Sequence, residues 1–124
     1  MIAIDTSSMI AFLAGEAGSD VSEVDDALRD ATAALPPVVL SELFSDPMLG
    51  NDVARIFEQI AVLELRDGYW QRAGRLRARI AARGLRARLA DSLIAQSCID
   101  HGVALVTRDG DFRHFARFGG LLLA

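Results

Sequence analysis

Five short apolar runs, none of them alternating, punctuate stretches of helical periodicity along this chain. They fall at 2–4, 37–40, 61–65, 103–106 and 121–123. An alternating strand buries one face. A continuous apolar run buries both, which suits a parallel sheet covered by helices on either side. Between the runs, the spacing predicts a helix over 6–14, from a hydroxyl cap to the breaker Gly15. A second is expected over 20–34, where Val21, Val24, Leu28 and Ala31 recur at helical intervals. Shorter pieces at 40–44 and 53–60 are separated by Pro47 and Gly50. Longer helices are expected over 69–82 and 89–100, the last ended by His101-Gly102. Strand and helix in alternation imply βαβ units with right-handed crossovers, hence a three-layer α/β domain around a parallel sheet.

The length of 124 residues and 52% hydrophobic content fit a single globular domain spanning 1–124, with a substantial core. No apolar run approaches the roughly 20 residues of a membrane span. The start, Met1 to Asp5, carries no basic segment, so no secretory signal is expected. The lone Cys98 rules out an internal disulfide and fits a reducing, cytoplasmic setting. Charge is unevenly spread. Residues 1–66 hold 3 arginines and 12 acids, a balance of −9; residues 67–124 hold 10 arginines and 5 acids, a balance of +5. An overall charge of −4 argues against a general DNA-coating protein, while a basic second half remains able to hold nucleic acid.

Four carboxylates stand where the elements begin or end. Ile2-Ala3-Ile4 runs into Asp5, and Ala104-Leu105-Val106 into Thr107-Arg108-Asp109. Pro37 to Leu40 runs into Ser41-Glu42, and Asp91 interrupts the otherwise apolar or small segment from Leu89 to Ala95. In an open α/β sheet, groups just past the strands share one edge, which is where ligands bind. An ionised carboxylate buried without a partner costs several kcal/mol, so such groups meet a cation or line a wet cleft. Four on one edge would bind Mg²⁺ or Mn²⁺, hard ions that prefer oxygen donors. Each has a plainer reading alone. Asp5 or Thr6 could cap the first helix, Glu42 and Asp91 suit first helical turns, and Asp109 and Asp111 flank Gly110 as turn residues do. The set is more informative than any member.

Arg72, Arg75, Arg79, Arg83 and Arg86 recur every three or four residues and share a helix face, provided the helix continues past Gly84. A solvated face, a track for RNA phosphates and a dock for an acidic partner all remain open. Arg108 and Arg113 stand nearest the acidic residues in sequence and could meet substrate. Phe112, Phe115 and Phe118 are expected to pack in the core or at an interface rather than to stack on bases. Tyr69 and Trp70 have the same default.

Taken in order, these segments resemble the PIN-domain superfamily, and within it the VapC toxins of bacterial toxin–antitoxin pairs. The segments that match are Asp5-Thr6-Ser7, Val39 to Leu43 followed by Ser45-Asp46-Pro47, Leu89 to Ala95, His101-Gly102, and Leu105 to Phe112. The likeness spans essentially the whole chain. It implies a PIN fold with about five parallel strands, and a metal cluster of Asp5, Glu42, Asp91 and Asp109. Asp111 is implied as an auxiliary acid, and Thr6 and Thr107 as supporting hydroxyls. It further implies a homodimer, an RNA substrate and a VapB-type antitoxin.

The expected activity is therefore Mg²⁺- or Mn²⁺-dependent endoribonuclease action. A divalent ion lowers the pKa of a water and polarises a phosphoryl oxygen. Asp5 and Asp91 are expected as principal ligands, Arg72, Arg75, Arg79, Arg108 and Arg113 as RNA contacts. A PIN nuclease of RNA processing or DNA work without an antitoxin is the first alternative. A catalytically silent binding module is the second; it would show gaps in the acidic set, and there are none.

Overall fold

The computed structural model describes residues 1–124. Its chain order is β1 (Ile2–Ile4), α1 (Thr6–Leu13), α2 (Ser19–Arg29), β2 (Ala33–Leu35), α3 (Pro37–Phe44), α4 (Asn51–Glu58), β3 (Ala61–Val62), α5 (Tyr69–Ala81), α6 (Leu89–His101), β4 (Ala104–Val106) and α7 (Phe112–Gly119). The four strands form one parallel sheet in the order β3-β2-β1-β4, with Ile2, Ala3 and Ile4 opposite Ala104, Leu105 and Val106. Both central strands lie under helices, so Ala3, Ile4, Ala34 and Leu35 are fully buried. This is the both-faces burial that non-alternating runs require.

Two expectations need correction. The run at 37–40 is the start of α3, and β2 lies just before it at Ala33–Leu35, overlapping the end of the helix expected over 20–34. Pro37 stands in the first turn of α3, where its missing N–H and fixed φ cost nothing. Helix α2 stops at Arg29 because Ala31 takes a left-handed φ of 56° and the Thr32 N–H turns back to the Ala27 carbonyl at 2.9 Å. An Ala-Ala-Leu strand carries no β-branched residue, so its composition favours helix; only burial on both faces of the sheet overrides that.

The second correction concerns the strand count, which is four rather than five. At 121–123 there is only a single parallel bridge, Leu105 to Leu123. The Leu105 N–H reaches the Leu122 carbonyl and the Ala124 N–H reaches that of Leu105, at 2.9 and 3.0 Å, so this segment covers the outer edge of β4. Phe112 and Phe115 on α7 are buried, joining Leu76 and Ile80 of α5 in one core. No helix is long and apolar enough to cross a membrane.

Candidate metal centre

The strand order 3-2-1-4 reverses direction of build-up between β1 and β4, and a crevice at such a switch point opens beyond the carboxyl ends of those two strands. Asp5 is the residue after β1, and Thr107 and Asp109 follow β4. The Asp5 N–H donates to the Val106 carbonyl at 2.9 Å, which pins the two strand ends together. Helix α6 crosses toward the same edge with Asp91 in its first turn, where the helix dipole favours negative charge.

Asp5 is 5% exposed, and its Oδ2 accepts hydrogen bonds from Ser7 Oγ at 2.6 Å and Thr107 Oγ1 at 2.8 Å. Thr107 Oγ1 in turn accepts from the Asp109 N–H at 3.0 Å, and Asp109 Oδ1 from the Asp111 N–H at 2.9 Å. Hydroxyls and main-chain amides thus fix the carboxylates one against the next. Oxygens of Asp91, Asp109 and Asp111 all lie within 4.8 Å of one another. Burial, followed by the negative charges of Asp109 and Asp5, pushes the Asp91 carboxyl up to about 6, against a smaller opposing pull from Arg88. Glu42 sits outside this trio on the exposed side of α3. Its Oε1 accepts from Thr6 Oγ1 at 2.8 Å, which holds it beside the residue that follows Asp5.

Of the residues expected at the site, the fold brings Asp91, Asp109 and Asp111 together and links Asp5 to Asp109 through Thr107, while Glu42 is tied only to Thr6. It comes from the second turn of a helix, not from a strand end. Asp111 belongs to the tight trio, a more central place than the auxiliary one assigned to it. Ser7 was missed, although the run Asp5-Thr6-Ser7-Ser8 offered the signal: hydroxyls two residues after a carboxylate fold back onto it. Acceptor oxygens crowded this closely, with one carboxyl displaced by its like-charged neighbours, fit a hard divalent cation such as Mg²⁺ or Mn²⁺.

Two of the arginines expected at RNA are committed elsewhere. Arg72 makes a two-pronged pair with Asp100, at 3.0 and 2.6 Å, and also caps the Asp67 carbonyl. Burial pushes Asp100 up, but Arg72 and Gln96 outweigh it and hold it below its ordinary range. Arg108 points away from the cluster and grips Asp20 at 2.8 Å and Glu16 at 2.6 Å. That grip, helped by Ser8 Oγ at 2.8 Å, lowers the Asp20 carboxyl to about 2 despite desolvation. The pair ties the start of α2 to the loop after β4. Arg75, Arg79 and Arg113 stay exposed.

The PIN-domain family model matches residues 2–118. The chain belongs to the PIN-domain family. Among solved structures it is similar to a chain of VapBC2 from Rickettsia felis bound to a DNA fragment from their promoter. That match has a TM-score of 0.73 and 19% identity, covering 100% of this chain and 98% of that one. DNA-bound VapBC from Salmonella typhimurium gives 0.71 and 18%, with coverage of 100% and 98%. At these identities the likeness is one of fold. No curated protein sequence matches the chain. Within the PIN fold, the crevice past β1 and β4 is the place where the acidic side chains gather.

Proposed function

We propose that this PIN-domain protein is a Mg²⁺- or Mn²⁺-dependent endoribonuclease of the VapC type, restrained by a VapB-type antitoxin. The observation that carries the reading is the trio Asp91, Asp109 and Asp111 within 4.8 Å, next to a buried Asp5 whose carboxylate is held by two hydroxyls. Folding gains nothing from gathering these charges. Asp5, Asp91, Asp109 and Asp111 would hold the ion, with Glu42 at the rim. The ion supplies Lewis acidity, acidifying a water and neutralising charge that builds on the phosphoryl oxygens.

The chain's own residues do the rest. Ser7 and Thr107 fix the rotamer of Asp5, so one of its oxygens stays directed into the crevice. Thr6 holds Glu42 where it can orient a water or accept its proton. Asp91, with its carboxyl near 6, exchanges a proton easily at neutral pH and must lose it to bind a cation. Likeness to the two VapBC structures supports a VapB-type partner; the homodimer and the cytoplasmic setting extend the resemblance to VapC toxins. The complete acidic set disfavours a silent binding module.

The test is cleavage of a mixed RNA pool by purified, antitoxin-free protein with Mn²⁺ or Mg²⁺, alongside EDTA and Asp91→Asn reactions. Cleavage only by wild type with metal is expected. Cleavage that persists in EDTA and in the variant would contradict the assignment, and a preference for DNA would favour the alternative nuclease.

A further inference from the structure

The segment from Gly68 to Ala90 contains seven arginines and no acid, and the segment from Phe112 to Ala124 contains two arginines and no acid. The fold packs these two segments together, α5 against α7. Arg83 lies over the Phe118 ring with its guanidinium carbon 4.0 Å from the centroid, and Arg117 approaches the same ring at 5.0 Å. Both arginines are exposed, and neither has a carboxylate within 4.0 Å. Arg86 follows in the loop after α5 and reaches Asp111 of the acidic trio at 4.0 Å. Arg113 lies one turn before Arg117 on α7. Its guanidinium nitrogen is 2.7 Å from where a Cβ on Gly110 would be, so it occupies space that a side chain between Asp109 and Asp111 would take.

Stability does not account for this arrangement. Arg75 with Arg79 on α5 and Arg113 with Arg117 on α7 are like-charged pairs four residues apart, a spacing that destabilises a helix. No acid on either segment relieves them. Arg72, Arg77 and Arg108 differ: Arg72 and Arg108 are taken up by carboxylates, and Arg77 Nε donates to the Ala87 carbonyl at 2.8 Å. Arg86 and Arg113 stand beside the acidic residues 109–111, Arg83 and Arg117 share the Phe118 ring, and an arginine stacked on a phenylalanine is presented flat and preorganised for a phosphate.

Resting on the nuclease reading above, we propose that Arg86, Arg113, Arg117 and Arg83 form a phosphate track that guides the RNA backbone into the acidic crevice. The contacts go to the backbone and carry no base preference. The two arginines beside Asp111 offset repulsion between the polyanion and the carboxylates, and the two around Phe118 hold the chain farther out.

The test uses Arg83→Gln/Arg117→Gln, the pair remote from the acidic trio, in an Asp91→Asn background that does not cleave. Binding of a labelled 20-nucleotide mixed-sequence RNA is followed by anisotropy across a salt series with Mg²⁺ present. Each phosphate contact on a single strand contributes about 0.7 to the log–log salt slope, so the pair lowers it by about 1.4 and weakens binding about tenfold. Arg29→Gln/Arg55→Gln, on the acidic half, leaves both unchanged. In the catalytically intact chain, Arg83→Gln/Arg117→Gln raises KM for a long RNA by a larger factor than it lowers kcat. Unchanged affinity and slope in a folded pair variant would overturn the track. So would a changed oligomeric state with RNA affinity kept, which would make the patch an interface between copies. Wild-type cleavage is scored in parallel. A cleaving wild type with an indifferent pair variant sinks the track alone, and a wild type that neither binds nor cleaves RNA sinks the reading beneath it.

Discussion

Replacing Asp91 by Asn should destroy cleavage and at the same time stabilise the metal-free protein. The Asp91 carboxyl is raised from 3.8 to about 6 by burial and by Asp109 and Asp5. A raised carboxyl means that the fold favours the neutral form. Its ionisation costs nothing below about pH 4, costs progressively more through pH 6, and exerts its full penalty above that. A displacement of about 2 units corresponds to roughly 3 kcal/mol at 1.36 kcal/mol per unit. Asp91 is only half-buried, and solvent screening brings the usable figure to about 1–2 kcal/mol. Asparagine keeps the shape and cannot ionise, so it recovers that amount. For a domain of this size the gain is a Tm increase of about 5 °C at pH 8, shrinking toward zero at pH 4. Scanning calorimetry of both proteins in EDTA, at several pH values, reads it directly. Added Mg²⁺ should then narrow or reverse the gap, because only wild type retains the full ligand set. An Asn variant equal to or less stable than wild type at pH 8 without metal would refute the reasoning, since the carboxylates would not be in mutual conflict.

Other substitutions probe the supports. Thr107→Val removes the hydroxyl that holds Asp5 and should lower cleavage about 10- to 100-fold, with the fold intact by circular dichroism. Arg72→Ala strands Asp100 and should lower the urea midpoint more than the same change at any other of the thirteen arginines, with RNA affinity kept in the folded protein. Asp20 is depressed to about 2 by Arg108, so its contribution is complete above about pH 4 and fades as pH falls toward 2. Asp20→Asn should therefore flatten the acid limb of the stability curve between pH 4 and 2, measured by chemical denaturation. Phe57→Ala, which empties a core position that is 1% exposed, should cost about 3–5 kcal/mol by the same method.

The sequence pattern made the class of fold legible because parallel strands buried on both faces leave continuous apolar runs at Ile2–Ile4 and Ala104–Val106. The strand at Ala33–Leu35 was hidden because alanine and leucine favour helix, and only the neighbouring strands say otherwise. Pro36-Pro37 then marked a helix start that reads equally well as the end of an extended run. The acidic residues were legible one by one as polar interruptions of apolar segments. The link from Glu42 to Thr6 was not, because it joins the second turn of α3 to the start of α1, 36 residues away in the chain. Among the arginines, periodicity could place Arg72 and Arg83 on one face. It could not show that Asp100 claims the first and leaves the second free. Asp100 is 28 residues away from Arg72 in the chain.

The central claim is that Asp5, Asp91, Asp109 and Asp111 form one divalent-cation centre. Titration calorimetry of Mn²⁺ into EDTA-stripped protein tests it most directly, run at pH 6 and pH 8 in two buffers of different ionisation heat. Saturable binding is predicted, with more protons released at pH 6 than at pH 8 because Asp91 must shed its proton. That binding should be lost or strongly weakened in Asp91→Asn and Asp109→Asn. Binding of equal strength in wild type and both variants would contradict the account.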